Sequence, residues 1–254
     1  MRTMSRSEPS VELRNPCERW LEWHGSRGVV QYYDKETKQK VDLGDDLTLC
    51  VLDFETSTVS GWHEKSESRI FANSVRSTTK EEFVVKSFKG GELARGRWAD
   101  IKETVAAKSF GGHFVTNIYA AMEVDDGRVA LVCLQLSGAA LYAWNEFKKG
   151  KRAAIESRAV QVDGSDGHKN GSVSYKTPKF KIADPDSGFA AAALALCRDV
   201  LQPYLRAYFS RAAEPVEVSD EPGLDAEFGG DLGPETVVEI PGGDDFAPDG
   251  KPRF

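Results

Sequence analysis

The composition of the chain changes abruptly after Arg211, and this change limits the part of the protein that can fold. Residues 212–254 contain 12 Asp and Glu residues and 2 Lys and Arg residues, with many Gly and Pro and only scattered apolar residues. Such a segment cannot bury enough apolar surface to offset the entropy cost of ordering. The sequence therefore predicts one folded body over residues 15–211, a flexible lead-in at 1–14 and a disordered acidic tail at 212–254.

The ionic charge follows the same division. The whole chain carries 33 Lys and Arg residues against 40 Asp and Glu residues, a formal net charge of −7. Because the tail alone has a net charge of −10, residues 1–211 carry 31 basic and 28 acidic residues, a net charge of +3. A mildly basic body joined to an acidic tail indicates binding to nucleic acid or to partner proteins.

The chain gives no signal for a membrane span or a secretory leader. The opening residues, MRTMSRSEPS, are polar, and no run reaches the ~18–20 consecutive apolar residues of a membrane helix. The four cysteines, Cys17, Cys50, Cys133 and Cys197, form no Cys-x-x-Cys pair, which argues against a zinc ribbon or a redox motif. We therefore expect a cytoplasmic protein with buried, reduced thiols, no metal and no cofactor.

Strand patterns dominate the first half of the body. The segments GVVQYY and KQKVDL flank the polar turn DKET, and HFVTNIYAAMEV and RVALVCLQL flank Asp125-Asp126-Gly127, so each pair predicts a β-hairpin. LTLCVLDF has the length and apolar character of a buried strand. Two more strand-like segments, near residues 155–163 and 171–182, are separated by the predicted loop DGSDGHKNG.

Three helices are predicted around these strands. Trp98, Ile101 and Val105 recur at helical spacing, and a second helix is predicted at GAALYAW. A long apolar helix should end the body, kinked or split by Pro203. Several strands, a helix and a further hairpin are the element order of an OB fold, so we predict a mainly β protein, an OB-fold-like β-barrel with peripheral helices.

The segment Asp53-Phe54-Glu55 raises the hypothesis of a nuclease. Metal-dependent 3′–5′ exonucleases hold a catalytic ion with two acids in this spacing, but they need further aspartates and usually a histidine five or six residues before one of them. None of the four histidines of this chain has an acidic residue at either position. We therefore interpret Asp53 and Glu55 as the end of a strand that turns at Thr56–Thr58, with an exonuclease that uses these acids as an alternative.

Aromatic and basic residues are interleaved through the middle of the body. Proteins that bind single-stranded nucleic acid without sequence preference stack bases on aromatic rings and hold phosphates with Lys and Arg along a groove. Trp62 lies in a predicted polar loop, and Phe88 lies at a strand end between two lysines, whereas aromatic residues on strands more often pack in a core. The predicted nucleic-acid-binding residues are Trp20, Tyr33, Trp62, Arg69, Phe71, Arg76, Lys86, Phe88 and Lys89.

The acidic tail suggests two further roles. A covalently attached acidic segment can occupy a basic groove when DNA is absent and, once displaced, recruit other proteins. The candidate docking residues are Asp244, Asp245 and Phe246, or the final Phe254. Two basic residues close to Phe254 depart from a wholly acidic tip, which favours the Asp-Asp-Phe segment. The alternative is a tail that only solvates the chain end.

Seven segments occur in a definite order through the body: NPCERWLEWHGSRG, YYDKETK, LDFETSTVSGW, IFANSVRST, FKGGEL, IYAAM and LSGAALYAW, which span about residues 15–182. In this order they resemble the phage-encoded single-stranded DNA-binding proteins, which have an OB fold and an acidic C-terminal tail. The resemblance implies non-sequence-specific binding of single-stranded DNA in phage replication or recombination, in the host cytoplasm, without enzyme activity. It also leaves open a homodimer. A phage-encoded adaptor that binds other proteins is the remaining alternative.

Overall fold

The computed structural model describes residues 13–124 and 127–212, and within these ranges the chain forms eleven strands and five α-helices. The strands are β1 (Arg19–His24), β2 (Val29–Asp34), β3 (Gln39–Gly44), β4 (Asp46–His63), β5 (Ser68–Ala72), β6 (Phe83–Ser87), β7 (Glu92–Gly96), β8 (Gly112–Glu123), β9 (Val129–Ser137), β10 (Ala159–Asn170) and β11 (Val173–Ala183). The helices are α1 (Trp98–Ala106), α2 (Gly138–Lys148), α3 (Arg152–Ser157), α4 (Ser187–Leu196) and α5 (Gln202–Ala212), with a π-helical turn (Cys197–Leu201) between the last two. Most of the predicted lead-in and tail therefore lies outside the described residues.

All eleven strands belong to one mixed sheet, so the prediction of a mainly β protein with peripheral helices is confirmed. The order along its main path is β3-β2-β1-β9-β8-β4-β5-β6-β7, while β10 pairs with β4 and β11 with β10. The β1–β9 pair is parallel, and the other neighbours are antiparallel. The sheet is not closed into a barrel. Closure requires the first and last strands to meet, whereas here the sheet branches at β4, which pairs with β10 near its start and with β5 near its end.

Strand β4 is longer than the sequence indicated. It continues through Asp53 and Glu55 to His63, so the predictions of a turn at residues 56–58 and of a loop around Trp62 were wrong. The backbone of this second half pairs with β8 from Thr56 onward, after irregularities near Asp53. Its Thr and Ser side chains lack the apolar alternation that marks a half-buried strand, which is why the pattern ended too early.

The segment predicted as a loop around DGSDGHKNG is also mostly strand. It extends β10 to Asn170, where β10 and β11 form a long hairpin with a turn at residues 171–172. Cross-strand contacts replace core packing here: the rings of His168 and Tyr175 stack with centroids 5.2 Å apart, and Lys179 forms an ion pair with Asp166 (2.8 Å). Such pairs stabilise a hairpin whose two faces are both polar.

One face of the sheet, here called the inner face, carries two apolar clusters. The larger cluster packs against α2 and α3, and its large buried members include Leu21, Leu49, Ile118, Leu134, Trp144 and Ile155. The smaller cluster packs against α1, and it includes Val59, Ile70, Phe83, Val85, Ile101 and Val105. Removal of this apolar surface from water is the main force that holds the helices on the sheet.

The opposite face, here called the outer face, is covered only in part. The helices α4 and α5 pack across one end of it, where Leu201 and Leu205 join a buried cluster with Tyr119. Tyr119 of β8 lies on this face, and its side chain is only 2% exposed because these helices cover it. His113, at the other end of β8, remains exposed on the uncovered part of this face.

The C-terminal helix is interrupted just before Pro203, in agreement with the predicted kink or split. A π-helical turn occupies Cys197–Leu201, immediately before the residue that precedes the proline. Proline cannot donate a backbone hydrogen bond, and its ring crowds the carbonyl one turn earlier, so the helix widens by one residue at that point.

The prediction of reduced cysteines is confirmed, and three of the four thiols are buried as expected. All four are free; Cys17, Cys50 and Cys133 are buried, and Cys197 is half-buried. Burial raises the pKa of Cys17, Cys50 and Cys133, so these thiols stay protonated at neutral pH.

Two glycines allow β4 to pass close to the turn that precedes β8. A methyl group on Gly61 would lie 2.1 Å from the carbonyl oxygen of Gly111, and the φ of Gly61 is +152°. We expect Gly61→Ala to lower the free energy of unfolding by about 1–3 kcal/mol, measured by urea denaturation, because overpacking and backbone strain add. Gly167→Ala, which meets no atom within 4 Å, is the control. Equal stability losses in the two variants would contradict this account.

Candidate nucleic-acid interface

Strand pairing brings five of the nine predicted binding residues together. Trp62 of β4 pairs with Arg69 of β5, and Phe71 of β5 pairs with Lys86 of β6. Because directly paired residues point to the same side of a sheet, these side chains share the outer face. Phe88 follows on this side, and its backbone N–H donates to the carbonyl of Arg69 (3.0 Å). We call these five residues the β4–β6 patch.

The three aromatic rings of the patch are partly open to solvent. Phe71 and Phe88 contact each other with ring centroids 4.9 Å apart and an interplanar angle of 55°. Both rings, and that of Trp62, are half-buried rather than enclosed in a core cluster. A ring that its neighbours support on one side and leave accessible on the other is suited to stacking with a base.

The two cations of the patch are not neutralised by carboxylates. Within the part of the chain that the structure describes, Arg69 and Lys86 have no carboxylate oxygen at ion-pair distance. Glu92 lies opposite Lys86 in the strand register, but its side chain binds Arg95 (2.6 Å) instead. The patch therefore presents positive charge that a phosphate group could pair with.

His113 borders the patch on the neighbouring strand, where it pairs with Ser60 of β4. Desolvation by the surrounding protein atoms and the positive charge of Arg69 lower the pKa of His113, while the Glu22 carboxylate acts in the opposite direction. The ring still exposes part of its surface, so water screens these effects. His113 is therefore mostly neutral at pH 7, and the positive charge of this surface comes from the patch cations.

We expect this lowered pKa to appear in an NMR titration of the His113 ring, with a midpoint below about 6.5. A proton then binds the unfolded chain more readily than the folded one, so His113 makes stability fall as the pH drops from about 6.5 toward the folded pKa. Arg69→Ala should move the midpoint upward because it removes the nearby positive charge. An unchanged midpoint in this variant would show that Arg69 does not act on His113.

Lys89 follows Phe88 of the patch, and Arg76 lies in the segment after β5, but both cations are already engaged. Arg76 pairs with Asp53 (3.0 Å) and also lies over the ring of Phe209 in α5, 4.9 Å from its centroid. Lys89 pairs with Glu67 (3.7 Å) in an exposed position. These ion pairs reduce the positive charge that either residue offers to a phosphate.

Trp20 and Tyr33 lie apart from the patch. Trp20 is half-buried on the outer face against the cluster that contains Cys17 and Leu201, beneath the C-terminal helices. Tyr33 lies on β2 opposite Lys40, and the strands β1, β9 and β8 separate β2 from β4. The structure therefore does not combine these two rings with the patch.

A row of polar residues crosses the outer face and was missed by sequence reasoning. Glu22, Gln135, Asn117 and Thr56 occupy successive paired positions on β1, β9, β8 and β4, and Gln31 of β2 extends the row. Gln31 and Asn117 are 2% and 1% exposed, and the Gln135 amide donates to the Asn117 side-chain oxygen (3.0 Å). The sequence does contain a signal for this row, because a single polar residue interrupts each of the apolar runs VVQYY and LVCLQL.

The two acids of the nuclease hypothesis are held by different arginines. Asp53 pairs with Arg76 and also accepts a hydrogen bond from the Glu55 backbone N–H (3.2 Å), while Glu55 pairs with Arg152. No group of three His, Cys, Asp or Glu residues within 13–124 and 127–212 is arranged to hold a metal ion. This geometry gives the exonuclease alternative no support.

Comparisons of the chain with protein-family models, with curated proteins and with solved structures found no match. Among the residues that the structure describes, no helix combines the length and apolar character needed to cross a membrane. The functional argument therefore rests on the outer face itself.

Proposed function

We propose that the protein binds single-stranded DNA without sequence preference, through the β4–β6 patch. The observation that carries the proposal is the combination of three half-buried rings with two uncompensated cations, Arg69 and Lys86, on one open sheet face. Stacked bases and paired phosphates are the two contacts that such binding requires. Stacking is worth about 1–3 kcal/mol per base by alanine substitution.

The same chemistry favours a single strand over a duplex. In a duplex the base faces are stacked on each other, so the rings of the patch would have no surface to contact. A place in phage replication or recombination and a non-enzymatic role remain part of the proposal, and they follow from the resemblance of the segments between residues 15 and 182. A partner protein captured without DNA and independently of the tail would favour an adaptor instead.

Fluorescence anisotropy with a labelled oligo-dT at two salt concentrations tests the proposal. Binding to a single strand releases counterions, so the logarithm of the affinity should fall with the logarithm of the salt concentration, with a slope of about −0.7 per phosphate contact. No binding at low salt, or an affinity that salt leaves unchanged, would reject the proposal.

The end of α5 contacts the segment that follows β5. The hydroxyl of Tyr208 accepts a hydrogen bond from the backbone N–H of Ser74 (2.8 Å), and Phe209 lies beneath Arg76. Ser74 and Arg76 follow directly after β5, which carries two patch residues. The remaining 42 residues of the chain, which carry the 12 acidic residues of the tail, continue from Ala212. We propose that this tail competes with DNA.

Deletion of residues 213–254 should tighten oligo-dT binding about 10-fold at low salt, since the deletion removes about ten net negative charges that repel phosphate. Anisotropy titration measures the change. A full-length variant with the tail Asp and Glu residues replaced by Asn and Gln is the matched control, and it should tighten binding similarly. Weaker binding after deletion would show that the tail does not compete.

The docking residues proposed for the tail, Asp244, Asp245, Phe246 and Phe254, lie outside the described residues. Their role in recruiting replication or recombination proteins stays a prediction. Capture of a partner by the intact chain, lost in Phe246→Ala or in a chain without Phe254, identifies which of the two segments docks.

A further inference from the structure

Ser60 of β4 lies on the outer face with an aromatic side chain on three of its sides. It pairs directly with His113 of β8 and with Phe71 of β5, and directly paired residues point to the same face. Trp62, two residues further along β4, occupies the third side, because alternate residues of a strand also share a face. A small side chain therefore separates three rings. We call these four residues the Ser60 recess.

The three rings of the recess do not contact one another. His113 and Phe71 lie one strand spacing on either side of β4, so their Cα atoms are roughly 10 Å apart. Aromatic side chains in contact have ring centroids about 4.5–7 Å apart. Among the described residues, Phe71 contacts only the ring of Phe88, and neither His113 nor Trp62 contacts another ring. A flat group placed above Ser60 would therefore contact a ring on each side.

The polar atoms of the recess are available to a ligand. Within the described part of the chain, no hydrogen bond engages the ring nitrogens of His113 or the hydroxyl of Ser60. His113 is exposed and Ser60 is half-buried, so both are accessible to solvent. The lowered pKa of His113 leaves its ring mostly neutral at pH 7, with one nitrogen that donates and one that accepts. The recess therefore combines flat walls with the donors and acceptors that the edge of a base can pair with.

The charge beside the recess suits a phosphate. Arg69 of the patch pairs directly with Trp62, and it is close enough to His113 for its charge to lower the pKa of that ring. Glu22 is the acid that acts on His113 in the opposite direction, and its carboxylate is already paired with Lys40 (3.2 Å). A phosphate next to a base in the recess would thus meet a cation rather than an uncompensated carboxylate.

We infer that the recess holds one base of the single strand, inserted between His113 and Phe71 above Ser60, with its phosphate on Arg69. The inference rests on the proposed function, because it assigns a base position on the same open face. It adds two residues, Ser60 and His113, that the patch does not include. It also explains the need for a small side chain at position 60, since a larger one would fill the space that a base occupies.

Fluorescence anisotropy with labelled oligo-dT and the full chain tests the inference. His113→Ala removes one wall and should weaken binding about 10-fold, as expected for one lost stacking contact, whereas His113→Phe keeps a ring and should bind within about 2-fold of the unaltered protein. Ser60→Leu fills the recess and should also weaken binding about 10-fold. Neither loss should change the salt slope, because no cation is removed. Ser174→Leu, the same change at an exposed position of β11, is the matched control and should leave the affinity unchanged.

Three results would overturn the inference. An unchanged affinity of His113→Ala, in a protein that still loses affinity with Arg69→Glu, would remove the recess from the DNA path and leave the proposed function intact. Equal losses in Ser60→Leu and Ser174→Leu would show a general effect of an added apolar side chain. Failure of the unaltered protein to bind oligo-dT would reject the proposed function, and this inference with it. Because His113 is exposed, its variants decide the question even if Ser60→Leu does not fold.

Discussion

The double variant Arg69→Glu with Lys86→Glu is expected to weaken oligo-dT binding about 100-fold at low salt and to reduce the salt dependence by a slope of about 1.4, two phosphate contacts of about 0.7 each. Both side chains lie on the open outer face, and among the described residues neither has a carboxylate partner. Removal of the two cations loses both contacts, and the new carboxylates repel phosphate.

The control for this variant must carry the same change of net charge. Arg97→Glu with Lys149→Glu meets this requirement, because both cations are exposed and each already pairs with an acid, Asp100 at 2.9 Å and Glu146 at 2.5 Å. We expect the control to retain affinity within about 3-fold, since long-range effects of distant charges are screened at moderate salt. If both double variants lose affinity equally, binding follows total charge and the patch has no special role.

Trp144→Ala is expected to lower the free energy of unfolding by about 3–5 kcal/mol, the largest stability effect among these predictions. The Trp144 ring is 1% exposed and packs against Phe54, Phe147 and Phe180, with centroids 6.0, 5.6 and 5.2 Å away. Its loss leaves a cavity between α2 and the inner face of the sheet. Urea denaturation measures the change, and a loss below about 1 kcal/mol would contradict the packing role assigned to the ring.

Trp144→Phe separates the ring from its N–H group. The indole N–H of Trp144 is buried and has no hydrogen-bond partner among the described residues. An unpaired buried donor is unfavourable, so its removal offsets part of the lost volume, and we expect a cost below about 1.5 kcal/mol. Leu194→Ala is the surface control, since this side chain is 69% exposed and its loss should change stability by at most about 0.5 kcal/mol.

Local signals predicted the elements whose apolar residues repeat regularly. Trp98, Ile101 and Val105 have helical spacing, and α1 spans Trp98–Ala106 with the latter two buried. Two apolar runs flank residues 125–127 in the sequence, and the hairpin that they predict forms as β8 and β9. In such segments the pattern follows from burial of one face, so the neighbours in the sequence already specify the element.

The same reasoning failed where strands are polar. The second half of β4 and the outer part of the β10–β11 hairpin have few apolar side chains, so no contrast between faces marked them as strands. They form because their backbone groups pair with β8 and with each other, and such pairing depends on residues far away in the sequence. The prediction of a closed barrel was wrong for a similar reason, because β4 changes partners along its length and the sequence does not show this.

The candidate nucleic-acid interface was likewise predictable from the sequence only in part. The sequence alone determined the charge division between body and tail, the apolar hairpins and helices, and the supply of rings and cations between Trp62 and Lys89. Only the tertiary structure decided that Arg69 and Lys86 stay unpaired while Arg76 and Lys89 meet carboxylates, and that Trp20 lies beneath the C-terminal helices. Composition and periodicity act over a few residues, whereas an ion pair or a covered face depends on chain segments that meet only after the sheet has formed.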